Sequence, residues 1–222
     1  MPHRTVVPHR TVVPHSTVAL LSTVTLHTMH LYGEIRADRP LLAAALEVEA
    51  AHVRDLGLPV LITGVGGTAA AVAVSVALAR QRPREVISLG TAGSLRPDAT
   101  GTLVVHEVFK HDIDNAALAA LVGFEPAPVL GLAPTYAGRS AVLATGDVFI
   151  SDPVVRGRLA QRADVVDMEG YAVASAARAV GVPVTLVKQV SDSADGTAAR
   201  TWQETMDACA RALADWVCSA VR

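Results

Sequence analysis

From Leu41 onward, short apolar runs alternate with stretches of helical character, and nearly every run stops at a glycine or an acid. This alternation narrows the fold more than any other feature. Leu41–Leu46 and Pro59–Thr63 are the first two runs, with a helical stretch expected over Glu47–Leu56. The second run ends in Gly64-Val65-Gly66-Gly67, and an alanine-rich helix is expected from Thr68 to Arg80. Val86–Leu89 is the third run, ending in Gly90-Thr91-Ala92-Gly93. Further strands are expected at Leu103–Val108, Ala141–Ala144, Val165–Val166 and Val184–Val190. Helices are expected at Pro153–Arg162, Glu169–Val180 and Thr201–Val221. Strand, helix, strand in this order predicts an α/β fold: one three-layer α/β/α domain around a mostly parallel sheet. Hydrophobic residues make up 51% of the 222 positions but aromatic ones only 4%, so the core must be built from Ala, Val and Leu, which suits a buried parallel sheet.

The first thirty residues are different in kind. Pro2-His3-Arg4-Thr5-Val6-Val7 recurs at 8–13, and Pro14-His15-Ser16-Thr17-Val18 is a third, imperfect copy. Five of the eight histidines lie in this stretch, and imidazoles ligate zinc or nickel. A proline-punctuated repeat without a core of its own is the simpler reading. Residues 1–30 are therefore expected to be a disordered extension, residues 38–222 the catalytic domain, and the functional chain to begin near Met29 or later. The formal charge of −2, with no long run of either sign, argues against nucleic-acid binding. No uninterrupted apolar stretch reaches membrane-spanning length, and Cys209 and Cys218 lack metal-ligand spacing. A cytoplasmic location is the default expectation, with no metal or cofactor.

In open α/β sheets, ligands bind at the carboxyl ends of the strands. Glu49, Gly64–Gly67, Gly90–Gly93, Gly146-Asp147-Val148-Phe149, Asp167-Met168-Glu169 and Ser191-Asp192 all fall there. Gly64-x-Gly66-x-x-Ala69 also fits a dinucleotide fingerprint. That motif needs an acid at the end of the next strand, and Glu85 sits at the wrong end of it. An NAD-binding Rossmann protein is thus the weaker reading, and a glycine turn that merely packs a helix closely is another.

The second half carries the stronger signal. Val166-Asp167-Met168-Glu169-Gly170 opens a helix, and Gly181-Val182-Pro183, a strand and Val190-Ser191-Asp192 follow. With Ala45-Leu46-Glu47-Val48-Glu49, Thr63-Gly64-Val65-Gly66, Gly90-Thr91-Ala92-Gly93 and Gly146-Asp147-Val148-Phe149-Ile150, this layout resembles the nucleoside phosphorylase and nucleosidase superfamily. Within it, the likeness is to 5′-methylthioadenosine/S-adenosylhomocysteine nucleosidases, over about Leu41 to Val217. The resemblance implies a nucleoside phosphorylase-like fold and hydrolysis of a purine nucleoside's N-glycosidic bond. Such a reaction needs an acid for the departing base and a carboxylate to activate water on the opposite face of the sugar.

What the resemblance implies residue by residue is specific. Asp192 resembles the proton donor to the purine, and Glu49 the water-activating carboxylate. Glu169 resembles the clamp on the ribose 2′ and 3′ hydroxyls, with Met168 packing on the sugar. Phe149 would stack on the purine, and Val148 and Ile150 would offer backbone contacts to its edge. Thr91 would hold the catalytic water, and Ser191 stands beside the acid. Val65, Leu46 and Trp202 would line the pocket for the 5′ substituent. Each has a plainer counterpart: Ser191-Asp192 as a turn, Glu49 and Glu169 as acids in first helical turns, Thr91 as a turn cap, Phe149 and Trp202 as core aromatics.

Phosphorylases of the superfamily resemble one another in an arginine on the first loop and another before the Gly-x-x-Gly of the third strand. Here those places read Glu47-Val48-Glu49 and Ser88-Leu89-Gly90, which favours water over phosphate. An arginine that often precedes the Ser-Asp motif in the family reads Lys188, and the segments between Glu49 and Thr63 and from His111 to Thr145 are short for a nucleosidase. A purine nucleoside phosphorylase, a futalosine-type hydrolase and an inactive nucleoside-binding module remain alternatives. The resemblance also implies a homodimer whose interface borders the 5′ end of the site, near Val65 and Trp202.

Overall fold

A computed structural model describes residues 29–221, so the repeats before Met29 lie outside the described residues. In chain order the elements are β1 (His30–Tyr32), β2 (Leu41–Ala44), β3 (Val60–Ile62), α1 (Gly67–Arg80), β4 (Val86–Ser94), β5 (Thr102–Lys110), α2 (Asn115–Val122), β6 (Leu130–Gly131), β7 (Arg139–Thr145), α3 (Pro153–Leu159), β8 (Val165–Asp167), α4 (Gly170–Ala179), β9 (Val184–Asp192) and α5 (Ala198–Ala220). The expected strands all form, and so do the expected helices apart from the one over Glu47–Leu56.

The sheet is mixed rather than mostly parallel. β2–β3, β2–β4, β4–β9, β5–β7 and β7–β8 pair in parallel, whereas β1–β3, β4–β8, β5–β6 and β5–β9 pair antiparallel. The reason is closure. β9 joins β4 on one side and β5 on the other, and β5 leads back through β7 and β8 to β4, so five strands make a ring. Register shifts at Ala92/Gly93 and between Val105 and Glu107 give the two long strands the local bend that such closure needs.

Alternate residues of the strands feed opposite faces. Leu41, Ala43 and Leu61 pack with Ala70 and Val74 of α1 and Val173 and Ala177 of α4. Leu42, Ala44, Val60 and Ile62 pack with Leu213 and Val217 of α5. A third cluster, with Phe109, Ala144, Ile150 and Leu159, lies under α3. These small and branched side chains make continuous apolar strands, as burial on both faces requires.

Two local expectations are corrected. Residues 45–56 do not form an α-helix; they are turns that finish in one 3₁₀ turn at Arg54–Leu56. Their backbone bonds mix three- and four-residue spans, such as Glu49 N–H to Leu46 O and Ala50 N–H to the same oxygen. Gly90–Gly93, read as a turn after the third strand, lies inside β4. A side chain at position 90 would meet Lys188 Nζ at 3.1 Å and Glu49 Oε1 at 3.4 Å, so glycine there leaves space for two charged groups.

Candidate active site

The ends of β2, β4, β8 and β9, the turn before α1 and the segment after β7 converge on one cavity of about 260 Å³. Glu49, Asp192, Glu169, Met168, Phe149, Val148, Ile150, Thr91, Ser191, Val65 and Trp202 all line it, together with Leu46. Every residue that the family resemblance gave a role in the site thus borders the same space. The size suits a small ligand with several polar groups.

Glu49 is buried and tightly held. Its Oε1 accepts from Thr91 N–H at 2.8 Å and from the Thr91 hydroxyl at 2.9 Å, and its Oε2 accepts from Leu46 N–H at 3.2 Å. The Trp202 indole N–H donates to the same hydroxyl at 3.0 Å, so Thr91 ties the carboxylate to the aromatic on α5. Glu49 is therefore an acid fixed by tertiary contacts, not one riding on a helical first turn.

Asp192 closes β9 and is also buried. Its Oδ2 accepts from the Ser191 hydroxyl and its Oδ1 from Ala194 N–H, both at 2.8 Å. Gly93 lies opposite on β4, where a side chain would stand 3.1 Å from Asp192 Oδ1. The two bonds fix the plane of the carboxyl group while the cavity keeps one side of it accessible.

Glu169 precedes α4, and its Oε1 accepts from Gly66 N–H at 2.7 Å. Gly66 has φ +92°, a conformation that side-chain-bearing residues rarely adopt, and this aims its amide at the carboxylate. Burial, then the Asp167 charge, push Glu169 up to about 7, against the pull of Lys188 and the Gly66 amide.

Beneath these three acids lies a buried ion pair. Lys188 Nζ stands 2.8 Å from Asp167 Oδ2. Asp167 also accepts from the Thr145 hydroxyl at 2.6 Å and from Gly170 N–H at 2.9 Å. Burial opposes the Lys188 charge, yet Asp167, Glu169 and Glu49 outweigh it and hold the ammonium above its ordinary value. The sequence offered Lys188 only as a replacement for a family arginine and gave Asp167 no role. Its signal was a lone lysine in a run of Val and Leu, where a charge needs a partner. Among the described residues, no group of three or more His, Cys, Asp or Glu is arranged to hold a metal ion.

The sequence model of the phosphorylase superfamily matches residues 27–222. This chain belongs to that superfamily. Among curated relatives, the 5′-methylthioadenosine/S-adenosylhomocysteine nucleosidase of Geobacillus thermodenitrificans is 27% identical over 205 residues, covering 81% of this chain and 85% of the relative. That of Geobacillus kaustophilus is 29% identical over 185 residues, covering 72% and 77%. Among solved structures, a mutant of the Helicobacter pylori nucleosidase with 5′-methylthioadenosine in its active site superposes with a TM-score of 0.75 at 21% identity, covering 83% of this chain and 98% of that one. Native futalosine hydrolase from the same organism gives 0.73 at 21%, covering 82% and 97%. These likenesses establish a nucleoside phosphorylase-like α/β fold for the superfamily member described here.

Proposed function

We propose that this protein hydrolyses the N-glycosidic bond of a purine nucleoside of the 5′-methylthioadenosine/S-adenosylhomocysteine kind, releasing free purine and a ribose derivative. The observation that carries the reading is the convergence of Glu49, Glu169 and Asp192 on one cavity. Three anchored carboxylates suit a reaction that builds positive charge on the sugar and moves two protons. They suit phosphate badly, because like charges would repel it.

In this reading Asp192 delivers a proton to the purine as the bond breaks, its carboxyl plane set by Ser191 and Ala194. Glu49 takes a proton from water at the opposite sugar face, and its bonds to Thr91 and Leu46 hold it in line. The Thr91 hydroxyl already donates to Glu49, so Thr91 serves the water through that carboxylate. Glu169 accepts from the ribose hydroxyls through the oxygen that Gly66 leaves free, and Met168 packs against the ring. Phe149, Val148 and Ile150 face the base, while Val65, Leu46 and Trp202 receive the 5′ group.

The same reading makes residues 38–222 the catalytic domain, with helices on both faces of the sheet as three layers. It makes the protein cytoplasmic; no helix among the described residues is long and apolar enough to cross a membrane. It also makes the protein a homodimer, because Val65, Val148 and Phe149 at the cavity are about half exposed, at 50%, 58% and 48%. A panel of 5′-methylthioadenosine, S-adenosylhomocysteine, adenosine and futalosine, read for released base, tests the assignment. Release of adenine from the two thio-nucleosides supports it, and no release from any of the four refutes it.

A further inference from the structure

Two consecutive amides at the start of α1 hold carboxylates from two different segments. Gly66 N–H donates to Glu169 Oε1 at 2.7 Å, and Gly67 N–H donates to Asp147 Oδ1 at 2.6 Å. Glu169 faces the catalytic cavity. Asp147 does not line it; it borders a separate hollow of about 330 Å³ beside Gly67, Thr68 and Tyr171. Yet the three residues after Asp147 are Val148, Phe149 and Ile150, which form the cavity wall.

The same end of this short wall carries a second tether. Asp147 N–H donates to Asp112 Oδ2 at 2.8 Å, and Asp112 pairs with Lys110 at 3.2 Å. Burial opposes the Asp112 charge, but the Asp147 amide and Lys110 outweigh it and hold its pKa below the usual carboxylate value. Residue 147 is therefore pinned twice, by its backbone to the end of β5 and by its side chain to α1. The glycines permit the second contact. A side chain at position 66 would stand 3.1 Å from Asp147 Oδ1, and one at position 67 would stand 3.4 Å from it.

The geometry points to Asp147 as a positioning residue, whose carboxylate latches the Val148–Ile150 wall to the Gly66–Gly67 turn and so sets that wall and Glu169 from one support. The part of the substrate that meets this wall rests on the hydrolase reading above. The latch itself does not. Because Asp147 touches no reacting atom, releasing it weakens ground state and transition state together, which raises KM and leaves kcat in place.

Four variants test it: Asp147→Ala, Asp147→Asn, Gly67→Pro and the double Asp147→Ala/Gly67→Pro. Proline is tolerated at the first helical position, and Gly66 with ψ 158° already has the extended backbone that a following proline requires. The proline ring both removes the donor N–H and takes the space of Asp147 Oδ1, so the carboxylate is expelled from the turn. Asp147→Ala and Gly67→Pro should each raise KM roughly tenfold, the weight of one charge-assisted bond, with kcat within about twofold. Asp147→Asn keeps an acceptor oxygen and should stay within about threefold of the parent KM. The double variant should lose no more than either single one. Hydrogen exchange at the position-147 amide, followed without substrate, should accelerate in Asp147→Ala and Gly67→Pro but not in Asp147→Asn. Additive losses, an asparagine variant as poor as the alanine one, or unchanged KM and exchange in Asp147→Ala would each overturn the latch. If the parent protein turns over no nucleoside while the exchange pattern holds, the latch stands and the hydrolase reading falls.

Discussion

Strand β4 separates two settings for carboxylates of very different character. Glu85, at its start, is shut in: Tyr136 donates to its Oε1 at 2.6 Å, Arg84 lies 3.3 Å away, and its Oε2 has no hydrogen-bond partner. Around the far end of β4, Glu49, Glu169 and Asp192 each have fixed partners and also a face on a shared cavity. Burial of a carboxylate is common to both regions. What distinguishes the second is convergence on a ligand-sized space with a lysine underneath to balance the charge. A chemical site is marked by where its acids point, and burial alone marks only a structural clasp. Tyr136 illustrates the clasp: burial, then the bond to Glu85 and its charge, push its hydroxyl up to about 12, so it remains a donor at any working pH.

The charge balance beneath the cavity rests on the Lys188–Asp167 pair. Lys188→Met strands Asp167 in the interior beside Glu169, and should cost about 3–5 kcal/mol in denaturant unfolding. Adding Asp167→Asn to it should recover part of the loss, because the two changes touch one interaction. Full additivity would mean that the pair does not carry the balance. Next comes Asp192→Asn, which keeps the shape but delivers no proton. Turnover should fall by about 100-fold or more at unchanged melting temperature. Near-normal turnover in a folded variant would remove Asp192 from the role of acid.

Glu169 makes the cavity end of β4 sensitive to pH. Its ordinary value is 4.5 and its folded value about 7. Between these values the folded state holds more protons than the unfolded one, so the stability tied to Glu169 falls as pH rises through that window and stays low above it. Glu169→Gln should therefore melt higher than the parent at about pH 8 and lose this advantage below about pH 4.5, a gain of roughly 2–4 °C per kcal/mol for a chain of this size. Ribose hydroxyls need the ionised form, so the parent KM should fall by roughly tenfold from about pH 6 to pH 8. A flat KM would show that Glu169 is ionised across that range or does not bind the sugar. The smallest effect on catalysis belongs to the other region. Tyr136→Phe should cost about 1–2 kcal/mol of stability and leave kcat/KM unchanged. A catalytic defect there would erase the distinction between clasp and site.

Much of this was legible in the sequence, for physical reasons that vary by element. β2, β3, β4, β7 and β9 were readable because strands buried on both faces must be continuous runs of Val, Leu, Ile and Ala. The residues that line the cavity were readable because glycines and acids gather at the ends of such runs. Residues 45–56 misled because Ala, Glu and Leu favour helix, whereas Glu49 is drawn instead to Leu46 and Thr91. α2, with the sequence Asn-Ala-Ala-Leu-Ala-Ala-Leu-Val, has no polar face and no buried residue, so periodicity gives it no signature. β1 and β6 are too short to show a pattern, with 3 and 2 residues. The partner of Lys188 lies 21 positions away on another strand, and the closed ring of strands that joins them is a property of pairing, which no local pattern records.

In the proposed reaction, three carboxylates at one end of the sheet direct water, and not phosphate, to a nucleoside. Product analysis of purified protein acting on 5′-methylthioadenosine, with and without inorganic phosphate, tests this most directly. Adenine and free 5-methylthioribose should form at the same rate in both buffers, with no phosphorylated sugar. A rate that requires phosphate, with a sugar 1-phosphate as the main product, would make phosphate the nucleophile and the protein a phosphorylase.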